Sequence, residues 1–394
     1  MADSVMQLPS RIPQRVVLAS NGFADGNAEA MAEFLIASKI EMLCIVKHPL
    51  EAKADAFHQI QVFEYGKLSK TRRWALPCRP PLTYIFDLMV PPLISVPKAD
   101  VWIGFGNLNT LRGLQAKLFG RVRRVIYDCV DFSPARFGER SLLTSIYDLI
   151  DLFCCKKSDL IWPISEKSHL ARMEKHALVS SVPVYTVPMG AWLGRVPVAS
   201  GSNLSDPRIV FLGHLLEKQG LQAVIQSLRA VLKVIPRATL HIVGGGPYKE
   251  TLEIMVREEG LSDVVVFHGF VKDHHAVEEI LATGAVAVAT YIPEMADFTA
   301  FADPGKLKAY LGAGLPIVLT NVSPNAAEIA EKAGSLLTEY DPDQIAKSIT
   351  EVLSDHAKWE SRHRSALAYI KEFDWNIILG NAFSNAQSSF GELQ

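Results

Sequence analysis

The chain has 394 residues with 49% hydrophobic and 21% charged side chains, enough to build two domains with sizeable cores and too apolar for a disordered chain. The formal net charge is −2, but residues 1–200 carry 24 Lys+Arg against 18 Asp+Glu and the remainder 16 against 24. That asymmetry fits either one face meeting an anionic surface or substrate, or a chance spread of solvated side chains.

Five cysteines, Cys44, Cys78, Cys129, Cys154 and Cys155, have no metal-ligand spacing, and we expect reduced, buried thiols in a cytoplasmic protein. The first residues lack the apolar centre of a secretion signal, and no run approaches the ~18 apolar residues of a spanning helix. We expect a soluble protein, at most lying on a membrane surface.

In chain order, strand 15–20 leads through the loop Asn21–Gly26 into an amphipathic helix over 28–37, a β–loop–α opening. The glycines do not form G-x-G-x-x-G, so a nicotinamide cofactor is not supported. Strand 41–46 follows, with His48 at its carboxyl end. Residues 66–98 carry six prolines and Arg72-Arg73-Trp74, and read either as an interfacial segment on anionic lipid or as an irregular excursion packed on its domain.

A strand over 101–105, a helix over 110–119 and a strand over 125–127 come next. Asp128 and Asp131 then lie just past a strand's carboxyl end, where α/β sheets place ligands. A helix over 142–155 has Ile146, Leu149, Ile150 and Phe153 along one side. Strand 159–162, helix 166–176 and strand 184–187 complete the first half, and the polar segment 195–207 reads as a linker.

The second half restarts the alternation. Strands fall at 208–212, 239–243, 264–267 and 286–291, with helices at 219–234, 248–258 and 275–282, the pattern of a parallel sheet with helices on both faces. A helix then opens at Ala302-Asp303-Pro304-Gly305-Lys306, with Asp303 expected as N-cap and Pro304 in the first turn. Free N–H groups and a lysine at a helix start suit a phosphate, although an ordinary αβ connection looks the same. Lys308 is expected to be solvated. A strand at 316–319, another at 334–338, and helices over 342–353, 357–371 and from 374 finish the chain. No catalytic serine triad, zinc spacing, Walker loop or DNA-binding motif is present, and His274-His275 read as exposed helix-start residues.

The segment ADPGKLKAYLGAGLPIV (302–318) resembles the donor-binding helix of GT-B glycosyltransferases, close to glycosyltransferase family 4 (group 1). YDCVDF with DLIWPIS (127–165), VPMG (187–190) and GHLLEKQG (213–220) carry the resemblance across nearly the whole chain, most strongly over 125–190 and 208–320. The resemblance implies an α/β protein of GT-B fold: two Rossmann-like parallel-sheet domains with a cleft between them. Residues 1–200 would form the acceptor domain, joined by a C-terminal helix over about 374–394, and residues 201–373 the nucleotide-sugar domain.

The implied activity is transfer of a sugar from a nucleotide-diphosphate sugar to a glycan or lipid-linked acceptor, as in cell-surface polysaccharide or glycolipid synthesis. No cofactor, metal or nucleic acid is implied, and an anionic membrane surface is a further candidate partner. Gly213, His214, Lys218, Gly244, Gly246, Phe270, Val271, Asp303 and Lys306 would hold the donor. Gly22, Asp25, Asp128 and Arg136 would hold the acceptor, with Asp131 as general base.

Several positions leave alternatives open. Asp131 could instead cap the 133–137 turn, and Arg136 could hold a phosphate or pair with Asp131. His214 and Gln219 stand where the family has Arg and Lys. Phe301 and Ala309 stand where it has two carboxylates. An epimerase or phosphorylase of the same fold and a catalytically weak nucleotide-sugar-binding protein are therefore the rival readings.

Overall fold

A computed structural model describes residues 12–21, 26–48, 57–75, 96–134, 136–138, 140–178, 181–295 and 298–391. The chain divides into two compact units, Met1–Pro188 with Trp375–Gln394, and Met189–Asp374.

In the first unit the described strands are β1 (Arg15–Ser20), β2 (Met42–Lys47), β3 (Phe57–Glu64), β4 (Lys67–Ala75), β5 (Ala99–Phe105), β6 (Val122–Cys129) and β7 (Leu160–Pro163). They lie in the order β4-β3-β2-β1-β5-β6-β7. β2, β1, β5, β6 and β7 run parallel, while β3 and β4 form an antiparallel hairpin on the edge. That hairpin corrects the irregular excursion expected from residue 66. Phe57–Glu64 buries His58 and Ile60 and leaves their neighbours along the strand partly exposed, the mark of an antiparallel strand covered on one face. Lys67, Lys70, Arg72 and Arg73 on the edge strand are exposed, and such charges discourage edge-to-edge pairing. Residues 76–95, which held the rest of the expected interfacial segment, lie outside the described residues.

The helices of this unit are α1 (Gly26–Ala37), α2 (Asn107–Leu118), α3 (Leu142–Lys157), α4 (Glu166–Lys175) and, from the far end of the chain, a terminal helix over Trp375–Phe390. Phe383 of that last helix stacks on Phe34 of α1 at 6.0 Å and meets Trp162 of β7 edge-on at 5.6 Å. The expected strand over 184–187 is a single bridge between Val184 and Ile161. Cys44, Cys129, Cys154 and Cys155 are free and buried, and Cys78 lies outside the described residues.

The second unit is an all-parallel sheet of β8 (Arg208–Leu212), β9 (Thr239–Val243), β10 (Val265–Gly269), β11 (Val286–Ala289), β12 (Ile317–Leu319) and β13 (Leu336–Leu337), in the order β10-β9-β8-β11-β12-β13. β11, Val-Ala-Val-Ala, is buried throughout, as a central parallel strand must be when both its faces are covered. The helix Leu221–Val234 turns Leu221, Val224, Ile225, Leu228 and Val231 inward at helical spacing. Its approach is set by Gly220 (φ +72°), where an added Cβ would lie 1.7 Å from the Thr290 carbonyl oxygen. Asp341 caps the helix Pro342–Ser354 by accepting from the Asp343 and Gln344 amides, an arrangement worth ~1 kcal/mol.

Residues 189–207 correct the expected linker, because they pack within the second unit. Ala191 N donates to Phe373 O, Ala199 N donates to Ala313 O, and Asn203 Nδ2 donates to the carbonyls of Ala282 and Gly284. Ala191 and Ala199 also enter the unit's core, and Leu193, Val196 and Leu204 pack against it.

Candidate donor and acceptor sites

In the second unit the strand order reverses between β8 and β11, and ligands of open α/β sheets bind at the carboxyl ends of the strands flanking such a reversal. The main chain there is drawn tight. Gly213 N donates to Val243 O at 3.0 Å, Leu215 N to Gly245 O at 2.9 Å, and Gly244 N to Gly269 O at 2.8 Å. Only glycine fits this stitching: a Cβ at Gly244 would lie 1.9 Å from Gly213 O, and one at Gly246 would lie 2.3 Å from Leu215 O. His214, exposed, comes against Gly246.

Lys306 enters from the start of α8 (Gly305–Gly312), the helix after β11, whose first amides have no intrahelical partners. Its Nζ lies 2.7 Å from Gln219 Oε1, 4.5 Å from the Phe211 ring centre and 4.3 Å from that of Tyr291. Its chain passes beside Gly213. The residue as a whole is partly exposed, yet its ammonium is crowded by protein, and burial lowers its pKa from 10.5 to about 7. The structure thus brings Gly213, His214, Gly244, Gly246 and Lys306 together, and places Gln219 directly on the lysine.

The other expected donor residues stand further out. Lys218 Nζ lies 5.5 Å above the Phe298 ring. Phe270 is 80% exposed beside Gly245, whereas Val271 packs on the unit's core.

Asp303 is buried, and its carboxylate takes bonds from Lys308 Nζ (3.0 and 3.2 Å), Asn325 Nδ2 (2.7 Å) and the Met189 amide (2.9 Å). The N-cap position falls on Pro304, so Asp303 does not cap α8. Lys308, expected in solvent, is buried with Asp303 as its partner and the Phe373 ring 4.1 Å away. A buried ammonium requires such a partner. Phe301 and Ala309 are partly buried, and Ala309 packs against the core.

In the first unit the strand order reverses between β1 and β5. Asn109 Nδ2 donates to Asn21 Oδ1 at 3.0 Å, Asn107 Nδ2 to Tyr147 O at 3.0 Å, and Gly106 N to the carbonyl of the buried Asp128 at 2.9 Å. His48, just past β2, has its Nδ1 3.0 Å from His58 Nδ1 and 3.5 Å from Arg112 Nη1. Gly22 and Asp25 lie outside the described residues.

Asp131 pairs with Arg136 (Nη1–Oδ1 2.7 Å), and Arg136 also donates to the Tyr147 hydroxyl at 3.2 Å. Of the two roles open to Arg136, the ion pair is the one formed.

Behind Asp131 sits a network that sequence reasoning missed. Arg172 Nη2 donates to the Asp131 carbonyl at 2.6 Å, and its Nε pairs with Asp151 at 3.0 Å. Asp151 also takes the Tyr127 hydroxyl and His176 Nε2 (2.7 Å). Burial alone would raise the Asp151 pKa, but Arg172, His176 and Tyr127 outweigh it and hold the group below its ordinary value. The four residues come from two strand–helix segments, and their sequence spacing carries no signal.

Residues 206–355 match the family described as glycosyl transferases group 1. A GDP-mannose-dependent α-(1-6)-phosphatidylinositol monomannoside mannosyltransferase of Mycobacterium tuberculosis is 30% identical over 154 residues, which is 38% of this chain and 39% of that protein. A putative colanic acid biosynthesis glycosyltransferase, WcaL of Escherichia coli K12, is 28% identical over 49% of this chain and 47% of its own. The chain thus spans less than half the length of these curated relatives.

Sucrose-phosphate synthase of Thermosynechococcus elongatus superposes with a TM-score of 0.71 at 14% identity, covering 95% of this chain and 99% of that one. HepE of Anabaena, solved with UDP, gives 0.69 at 14% identity over 95% and 100%. These likenesses show the fold, and the family match lies in the second unit. The chain has the GT-B fold, and its residues 206–355 match the model of the group 1 glycosyl transferases.

Proposed function

We propose that this chain transfers a sugar from a nucleotide-diphosphate sugar to a glycan or lipid-linked acceptor. The observation that carries the reading is Lys306, a crowded ammonium at a helix start beside the Gly213–Gly244–Gly246 main chain. A diphosphate leaving group gathers negative charge as the bond to the sugar breaks. The Lys306 ammonium and the amides at the start of its helix would meet that charge, so the proposal needs no metal. The exposed Phe270 beside Gly245 gives a nucleobase an apolar surface, with main chain next to it.

The acceptor hydroxyl would attack the anomeric carbon as the nucleotide diphosphate departs. Its proton passes either to Asp131 or to the departing phosphate. The Asp131–Arg136 pair favours the second route, because one carboxylate oxygen is already engaged. One relative is a GDP-mannose-dependent phosphatidylinositol monomannoside mannosyltransferase and another a putative colanic acid biosynthesis glycosyltransferase, which supports a polysaccharide or glycolipid product and a protein working at a membrane face. Among the described residues no helix is long and apolar enough to cross a membrane.

The test is nucleotide release from UDP-glucose and GDP-mannose, assayed with a chelator, with and without lipid-linked and glycan acceptors. Release that requires an acceptor and yields a longer glycan supports transfer. Release without any acceptor favours the epimerase or phosphorylase reading. Binding without turnover, which the residues at Phe301 and Ala309 would favour, makes this a nucleotide-sugar-binding protein.

A further inference from the structure

Helix α3 is turned the wrong way round for a helix of a globular protein. At ~100° per residue, Leu142, Ile146, Leu149 and Phe153 fall within an arc of about 60°. These four side chains are 75%, 47%, 67% and 44% exposed. The residues the helix buries are Thr144, Asp151, Cys154 and Cys155. Its core-facing side is thus small and polar, held by the Asp151–Arg172 pair, and its apolar stripe faces outward. Leu143, exposed beside the stripe, widens it at the amino end. A continuous exposed apolar stripe is a docking surface rather than the scattered exposure that any protein tolerates.

The charges around the stripe identify its partner. Exposed Arg140 precedes the helix, and exposed Lys156 and Lys157 end it. The two acidic residues of α3 are both engaged, Asp148 with Lys175 at 2.6 Å and Asp151 with Arg172 and His176. A second copy packed helix to helix would bring cations against cations in either direction, parallel or antiparallel. An anionic bilayer surface meets both features: acyl chains take the stripe and phosphate headgroups take the cations at its two ends.

We propose that α3 is the element that seats this protein on an anionic lipid surface, with its axis in the plane of the interface. The inference draws its purpose from the membrane-borne acceptor proposed above. Vesicle binding is measured without donor or acceptor, so its failure and the failure of sugar transfer are read separately.

The full chain is sedimented with phosphatidylcholine vesicles, with and without phosphatidylglycerol, and its self-association is followed by sedimentation velocity. We expect a monomer that binds the anionic vesicles and releases as salt rises. Leu142→Ser and Leu149→Ser should each weaken vesicle binding by about tenfold, while melting temperature and UDP affinity stay unchanged because both side chains are exposed. Lys156→Glu with Lys157→Glu should remove the preference for anionic vesicles. Serine variants that bind as well as the parent, or a parent that binds neutral and anionic vesicles equally, overturn the proposal. A parent that dimerises through this face and ignores vesicles assigns the stripe to a second copy and also overturns it.

Discussion

At the scale of single residues, Lys306 is where charge, burial and the proposed diphosphate site meet. Its pKa of about 7 follows from burial, which penalises the ammonium. In the free protein the group therefore sheds its proton as pH rises through about 7, and a bound diphosphate calls it back. Donor affinity should be greatest below that pH and fall above it, and binding at pH 8 should take up a proton. Calorimetry of UDP-glucose or GDP-mannose in buffers of different ionisation enthalpy reads that uptake directly. Lys306→Ala should lose the uptake together with roughly 1.5–3 kcal/mol of binding, the range for a hydrogen bond to a charged group. An unchanged affinity would remove Lys306 from the phosphate site.

Asp131 offers a second test on this scale. Asp131→Asn keeps the shape but cannot accept a proton. Turnover falls ~10²–10⁴-fold if the carboxylate is the base, and stays within a few-fold if the leaving phosphate takes the proton. Donor affinity should not change, since the donor residues belong to the other unit.

At the scale of elements, the ADPGK stretch shows what a sequence does and does not reveal. The lysine at a helix start was legible, because helix-start chemistry is local and the flanking strands are plain apolar runs. The fate of its neighbours was not. Lys308 reads as one more solvated cation until Asp303 pairs with it, and that carboxylate is held in turn by Asn325 and the Met189 amide, both from distant segments. Helix α3 fails in the same way: its stripe is visible in the sequence, but a period of 3.6 does not say which side faces out. Phe57–Glu64 escaped notice because half of its residues are polar and resemble loop.

The Asp303 cluster yields a prediction at this scale. Asp303→Ala leaves the Lys308 ammonium buried and unpaired, so it should cost about 3–5 kcal/mol of stability in urea unfolding. Replacing both, Asp303→Ala with Lys308→Met, removes the stranded charge and should recover much of that loss. A double variant as unstable as the sum of the single ones would show that the pair is not coupled.

At the scale of the whole molecule, the chain leaves the first unit at Pro188, builds the second, and returns after Asp374 to finish the first. The first unit is therefore incomplete until the helix Trp375–Phe390 is made. Its closing helix buries Trp375, Leu379, Ala382, Phe383 and Ala386, and Phe383 lies against Phe34 and Trp162. Phe383→Ala would leave a cavity in a side chain's place and should destabilise the first unit by roughly 3–5 kcal/mol. The second unit has its own core, running from Ala191 to Ile370, and does not include residue 383. The variant should therefore split unfolding into two transitions: an early one reported by hydrogen exchange in β1, β5 and β6, and a later one at the parental midpoint in β8, β9 and β11. UDP affinity should survive the first transition. A single transition shifted as a whole would mean that the two units unfold as one, and that the returning helix stabilises both.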